Sequence, residues 1–399
     1  MLARYQQGED FLPRRRIMRT ILNVVDHGTA SEDMSAQRAD AHVPERRAVL
    51  VSSPAAGSAV SVERLVERLA RAGVIVARRL LVSDLDHTQP QGLLWRDQGH
   101  DLVIAAGGDG TVGSVATQLV GSGVPLAILP LGTANDVARS LYMPMDLAQA
   151  CDHLAGTEPM DIDVGQVIPG LVEPGAFSAE HGAPLAGDPS PLAGVCFLHA
   201  LTLGLNVEFA RLATDVQRRE RLGNLTYAAS AFEAVTRYHP VDVTLRIYGM
   251  EGADEAAEQV IQTRAVQVTA INTPVFGGRI GVRLPDVSLH DRLLDFMLIE
   301  AVDAQQLRAI VQRLLDSILL TPSQTLRPTG DDNLQMVGLR RFRARAAIVE
   351  TADAVDVTLD GEIRTHTPAL VRVGPQQLRV LVAPEAKRQL TQGMQDIQP

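Results

Sequence analysis

Lysine is nearly absent from this sequence. Lysine and arginine total 37, and all but Lys387, close to the C-terminus, are arginine. That shortage excludes whole reaction classes. There is no lysine for a G-x-x-x-x-G-K-[ST] phosphate loop, for the β3 lysine of protein kinases, or for a Schiff base at a core position. Cysteine is as scarce: Cys151 and Cys196 are the only two, too few for a disulfide framework or a four-thiolate zinc site. The ten histidines include no H-x-x-x-H pair, which argues against zinc. No apolar stretch approaches the roughly 18 to 20 residues needed to span a bilayer. Basic charge is in deficit too, 37 Lys plus Arg against 47 Asp plus Glu for a net of −10, so nucleic acid is not an expected partner.

What is present suffices for more than one core. The chain has 399 residues, 46% of them hydrophobic and 21% charged, which excludes disorder throughout; at roughly 150 residues per domain, two or three domains follow. Met1–Asp10 lacks the long apolar core of a signal peptide. A cytoplasmic protein is expected, with peripheral contact at the inner face of a membrane left open, as is a homodimer.

Composition divides the chain. Residues 1–46 read as a mobile leader rich in Arg, Asp and Gln. From Ala48 strands and helices alternate: Ala48–Val51, then Val62, Leu65, Val66 and Leu69 at helical spacing, then Val74–Ala77 continuing to Val82, Leu102–Ala106 and Val124–Leu129. That order predicts an open parallel sheet covered by helices, an α/β domain over 47–165. Residues 169–194 are rich in Gly, Pro, Ala and Ser and read as an inserted loop. Beyond them Val241–Tyr248 alternates apolar and polar residues, the pattern of an antiparallel sheet with one solvated side. Similar runs occur at Arg264–Asn272, Leu293–Glu300, Ala346–Thr351, Val355–Leu359 and Leu370–Val373, with helices near Arg218–Arg237 and Ala304–Leu320. The second domain, 166–383, is therefore an expected all-β sandwich, with 384–399 a tail and the last strand free to return to the first domain.

Two glycine-rich loops carry the chemical signal. Gly107-Gly108-Asp109-Gly110-Thr111-Val112-Gly113 follows a buried strand and opens a helix, where bare backbone and free N–H groups suit a phosphate. The same residues could form a βα turn capped by Asp109 or Thr111. Gly108, Gly110 and Gly113 formally satisfy G-x-G-x-x-G, but the loop follows the third strand and no acidic residue ends the next one, against a dinucleotide site. Pro130-Leu131-Gly132-Thr133-Ala134-Asn135-Asp136 repeats the arrangement. Two such loops at the carboxyl ends of strands in one sheet would flank a single crevice. Asp360-Gly361-Glu362 after Val355–Leu359 is either a tight hairpin turn or a pair of working carboxylates. Arg211, Arg218, Arg219 and Arg221 form either a solvated helix face or a dock for anionic lipid headgroups.

Both loops, together with Arg221–Tyr227, Asn272–Gly278, Asp291–Asp295 and Leu359–Glu362, closely resemble the diacylglycerol kinase catalytic family, over about Ala48 to Val382. NAD kinases share the first motif and the architecture, whereas the Leu-Gly-Thr-x-Asn-Asp loop is that of the lipid branch. The resemblance implies a lipid kinase that uses ATP and Mg²⁺ on a membrane lipid reached by peripheral contact. NAD kinase and a non-catalytic nucleotide-binding regulator are the alternatives. It implies nucleotide binding by Gly107, Gly108, Asp109, Gly110, Thr111, Val112 and Gly113, by Thr133, Asn135 and Asp136, and by Ser83 in place of a threonine. Asp109 is a candidate for holding Mg²⁺. Glu362 matches the proton acceptor, with Asp360 sharing or orienting that role. Asp291 matches the carboxylate ligand of a structural Mg²⁺, and Ser288 and Leu293 its main-chain carbonyl donors. Without lysine, Mg²⁺ and backbone N–H groups are left to stabilise the transferring phosphate. Three positions depart from the family: Ser53 for an asparagine, Gly113 for another asparagine, and Arg292 for the glycine after the metal-loop aspartate.

Overall fold

The apolar runs Ala48–Val51 and Leu102–Ala106 lie side by side as parallel strands at the centre of the first sheet. The computed structural model describes residues 45–53, 61–86, 90–170, 194–205, 207, 240–254, 257–276, 282–284, 286–301 and 338–392. The leader, nearly all of the insert, both helices of the second half, the 211–221 arginine run, the Arg221–Tyr227 motif and the end of the tail lie outside these residues.

In chain order the first elements are β1 (Arg46–Ser52), α1 (Val62–Arg71), β2 (Val74–Leu81), α2 (Gly92–Asp97), β3 (Leu102–Gly107), α3 (Asp109–Leu119), β4 (Leu126–Pro130), α4 (Asp136–Ser140), α5 (Leu147–His153) and β5 (Glu158–Ile162). There follow β6 (Gly165–Pro169), β7 (Val195–Phe197), β8 (Ala200–Gly204), β9 (Val241–Met250), β10 (Gln259–Ile271), β11 (Val275–Phe276), β12 (Val282–Arg283), β13 (Leu294–Glu300) and β14 (Leu339–Thr351). The last are β15 (Asp356–Leu359), β16 (Glu362–His366), β17 (Ala369–Val373), β18 (Leu378–Val382) and α6 (Pro384–Gln392).

The first sheet has the order β2-β1-β3-β4-β18-β5. All its pairs are parallel except β18 with β5. Both faces are covered, which is why its central strands are apolar without alternation. Val49, Val51, Val103 and Ala105 face α3 residues Val112, Val115 and Leu119 together with Trp95. The intervening Ala48, Leu50, Leu102 and Ile104 face α1 and α5 through Leu65, Leu69, Ala150 and Cys151.

The second sheet is antiparallel and ten-stranded, in the order β16-β15-β8-β10-β13-β14-β17-β6-β7, with β9 pairing both β10 and β14. β10 and β14, 13 residues each, bend through two layers. The first half of β10 pairs β9 and the second half pairs β13 and β8. β14 does the same, from β13 to β9 and β17. The ring β9-β10-β13-β14 closes the sheet on itself around Val243, Leu245, Ile247, Val268, Phe296 and Phe342. β9 alternates as its sequence predicts. β17 is buried on both faces, because Leu370 packs with Ile168, Ala346 and Ile348 on the side away from the main core.

The chain thus leaves the first sheet after β5, builds the second, and returns to the first with β18, which lies between β4 and β5. Leu378, Val380 and Val382 bury completely or nearly so there. Leu378→Ala is therefore expected to lower stability by about 2–5 kcal/mol in urea unfolding. A change near zero would show that β18 is not needed to close the sheet.

Candidate functional site

The two glycine loops meet because β3 and β4 end level. Gly107 pairs with Pro130, and the Leu131 N–H donates to the Gly107 carbonyl at 2.9 Å. Beyond them the loop backbones touch: a methyl group on Gly132 would lie 2.4 Å from the Gly108 Cα. No other residue type permits that approach. Asn135 holds the second loop shut. It adopts a left-handed φ of 54°, accepts from the Gly132 N–H at 2.9 Å and donates to the Gly132 carbonyl at 2.8 Å. Its carboxamide is thus committed to the loop itself, while Thr133 is exposed at the tip. One Asp109 oxygen accepts from the Val137 N–H at 3.0 Å and so links the first loop to α4. Thr111 folds back over Gly107 and Val112 points into the core. Ser83 sits in a 3-10 turn with its hydroxyl 3.4 Å from an Asp84 oxygen.

Asp360-Gly361-Glu362 is a hairpin turn and also a carboxylate pair. Leu359 pairs with Glu362 across a two-residue loop. Both loop residues have positive φ, 50° at Asp360 and 87° at Gly361, as a type I′ turn requires. The Asp360 carboxylate is drawn inward and accepts three backbone N–H groups, from Leu198 at 3.0 Å, His199 at 2.8 Å and Ala200 at 3.1 Å. Burial still pushes its carboxyl up to about 6, against those donors and with the Asp109 charge adding to the rise. Glu362 points outward; its side chain is 54% exposed and pairs with Arg364 at 2.5 Å.

The hairpin lies on the bare face of α3. A methyl group on Gly110 would come 2.6 Å from Glu362 Oε1, and one on Gly113 2.8 Å from Asp360 Oδ2. Gly110, Gly113, Ser114 and Thr117 on one side and Asp360, Glu362 and Arg364 on the other line an open cleft of about 190 Å³. Motifs from opposite ends of the chain thus share one cavity.

Two residues of this region, His199 and Arg364, were not singled out in the sequence, and a third, Asn272, opens a motif that was given no role. His199 stacks obliquely on Phe276, centroids 4.2 Å apart, with Nδ1 2.7 Å from the Thr273 hydroxyl and Nε2 3.7 Å from an Asp136 oxygen. Burial lowers its pKa to about 4, so the ring is neutral near pH 7. Asn272, wholly buried, donates to the carbonyls of Asp163 and Leu198 and fixes the turn that carries the three amides. Nothing in the sequence around His199 marks it. Arg364 had a signal: in a strand, positions i and i+2 share a face, so an arginine two residues after Glu362 stands beside it. Beside the backbone N–H groups to which the sequence leaves the phosphate, the cleft wall thus carries one guanidinium, Arg364.

Ser288, Asp291 and Leu293 lie together but do not fit a resident Mg²⁺. One Asp291 oxygen accepts from the Leu293 N–H at 3.0 Å and the other pairs with Arg343 at 3.1 Å. The neighbouring carboxylates are also held by arginines, Asp163 by Arg292 and Asp295 by Arg341. The Ser288 hydroxyl turns to His290. A hard dication needs several free oxygens around it, and here guanidinium groups stand against the acids. The magnesium expectation at this loop places the ion on the Asp291 carboxylate and the main-chain carbonyls of Ser288 and Leu293; that carboxylate is held by Arg343 and the Leu293 N–H.

Residues 47–167 match the diacylglycerol kinase catalytic domain, and residues 200–382 match the YegS C-terminal NAD kinase beta sandwich-like domain. Residues 47–167 belong to the diacylglycerol kinase catalytic-domain family. It is 22% identical over 327 residues to a Bacillus subtilis protein named diacylglycerol kinase, covering 79% of this chain and 90% of that one. It is 27% identical over 291 residues to an uncharacterised protein of Synechocystis sp., covering 72% of this chain but only 56% of the relative's length. A crystal structure titled as a diacylglycerol kinase from Bacillus anthracis str. Sterne shares the fold, with a TM-score of 0.52 at 18% identity over 86% of this chain and 98% of that one. No helix among the described residues is long and apolar enough to cross a membrane.

Arginine pairing at the 288–293 loop has a measurable consequence. The melting temperature is expected to be the same in millimolar Mg²⁺ and in chelator. Arg343→Met, which leaves the half-buried Asp291 with only the Leu293 N–H as partner, is expected to lower stability by about 1–3 kcal/mol in urea unfolding. A melting temperature that rises with Mg²⁺ in the unmodified protein would restore the metal at this loop.

Proposed function

We propose that the protein is an ATP-dependent lipid kinase. It transfers the γ-phosphate of ATP, supplied with Mg²⁺ as one substrate, to a hydroxyl of a membrane lipid such as diacylglycerol, which it meets by peripheral contact. The observation that carries this reading is the approach of the Glu362 carboxylate to the bare Gly110 backbone at the start of α3. A proton acceptor thereby stands beside the N–H groups and positive helix end that suit a phosphate. The lipid hydroxyl attacks the γ-phosphorus, the bond to the β-phosphate oxygen breaks with ADP leaving, and the hydroxyl proton passes to Glu362. Asp360 is a positioning residue, since its carboxylate is taken up by three amides. Asp109 joins the two loops and faces the incoming metal–nucleotide complex with a hard oxygen donor.

Incubation with γ-labelled ATP and vesicles containing diacylglycerol, in parallel with NAD, tests the activity. Label in lipid is expected; label in NADP with none in lipid would instead make the protein a NAD kinase, and ATP binding without transfer to any lipid would make it a regulator. Glu362→Gln keeps shape but removes the acceptor, so kcat is expected to fall by about 10² to 10⁴ without weaker ATP binding. Unchanged turnover would leave the hairpin as a turn and nothing more.

The pH profile follows from Asp360. Its folded pKa, about 6, lies above the ordinary carboxylate value because of burial. The folded chain therefore favours the protonated form, and that contribution to stability is full below the ordinary value and lost as pH rises through about 6. Activity runs the other way, because ionised Asp360 accepts the three amides. Turnover is expected to show an acid limb near pH 6 that Asp360→Asn abolishes. An identical limb in that variant would assign it to another group.

A further inference from the structure

The cleft holds more acid than base. Asp360 and Glu362 line it, and Arg364 is the one cationic side chain on its walls among the described residues. Lys387, the sole lysine, is spent elsewhere: its ammonium reaches the Pro159 carbonyl at 3.0 Å and Glu158 at 3.6 Å. Arg364 and Glu362 point the same way from β16, and one guanidinium nitrogen of Arg364 contacts Glu362 Oε2. The other Glu362 oxygen lies against Gly110. Both partners are substantially exposed, 38% for Arg364 and 54% for Glu362, and an ion pair in such a setting is weak and easily exchanged. A polyphosphate offers the guanidinium fork a stronger partner, because it carries more charge and accepts two parallel N–H bonds.

Resting on the kinase reading, we propose that Arg364 is the residue that binds the terminal phosphate of the nucleotide, and that it leaves Glu362 to do so. The exchange does two things at once. It places a positive charge on the group to be transferred, in a protein without a lysine for that task. It also strips Glu362 of its counter-ion when a proton acceptor is needed, so that the acceptor is unmasked only with nucleotide in place. No covalent bond changes in this step.

The test is equilibrium binding of ATP, ADP and AMP to the full chain by calorimetry, without lipid. Arg364→Gln is expected to weaken ATP binding by roughly 10-fold or more while leaving AMP binding unchanged, which also shows that the variant is folded. Arg364→Lys is expected to recover part of the loss. Glu362→Gln, which frees Arg364 from its resting partner, is expected to tighten ATP binding by several-fold even as turnover falls. An unmodified protein that binds none of the three nucleotides would defeat the kinase reading itself. An unmodified protein that binds ATP, with Arg364→Gln binding it equally well, would overturn the assignment of Arg364 alone. Glu362→Gln without any gain in ATP affinity would overturn the exchange of partners.

Discussion

The carboxylate of Asp360 holds together three segments that are far apart in sequence. It ends β15, caps the successive amides of Leu198, His199 and Ala200 at the start of β8, and presses on the helix face at Gly113. An unpaired buried carboxylate would be strongly destabilising, and three N–H donors offset part of that penalty. The same bonds decide where Glu362 goes. With Asp360 turned inward and the turn wound through two positive φ angles, the next strand residue must face the opposite way, into the cleft. One acidic residue is consumed to aim the other.

Bare backbone makes this packing possible. The side of α3 that meets the hairpin carries glycine at 110 and 113, a sequence of low helix propensity at about 1 kcal/mol per glycine relative to alanine. The helix persists because its opposite side buries Val112, Val115 and Leu119 against the sheet. Gly108 and Gly132 make a second such trade, with two loops in van der Waals contact through backbone alone. Glycine is thus placed where a carboxylate or another loop must come close, and the sheet supplies the stability that those glycines forgo.

The parts of the fold that could be read from the sequence are those with unbroken apolar runs. β1, β3 and β4 bury both faces and announce themselves, and the loops after β3 and β4 carry their glycines in plain view. β14 shows the limit. Ala346–Thr351 is legible, but the strand begins at Leu339 and its first half is Arg340-Arg341-Phe342-Arg343. Those arginines belong to a strand because acids lie across from them, Glu300, Asp295 and Asp291, and no local pattern reveals partners that distant. β10 likewise starts earlier, with the mixed run Gln259–Thr263, whose pairing with β9 no local alternation reveals. At the site, the paired carboxylates were legible as a turn or as chemistry; the structure shows the turn, with Asp360 drawn inward and Glu362 exposed. His199 was not, since its importance comes entirely from which groups the fold brings to its ring.

The departures from the family pattern acquire physical reasons at two of the three positions. Gly113, where an asparagine is usual, leaves room that any side chain would fill, since even a methyl group would collide with Asp360. Arg292, where a glycine is usual, occupies a left-handed φ of 62°, a conformation that costs a non-glycine residue about 1–2 kcal/mol. That strain is offset locally. The Arg292 N–H and guanidinium both donate to Asp163, at 2.7 and 3.0 Å, and a second guanidinium nitrogen donates to the Gly374 carbonyl at 2.8 Å. Asp163 is fully buried and also accepts from Gln377, so without Arg292 its charge would have only neutral donors. The arginine that distorts the loop is therefore what lets a buried aspartate sit at the junction of β5 and β6. With Arg343 it gives the 288–293 loop positive charge of its own, set against Asp163 and Asp291.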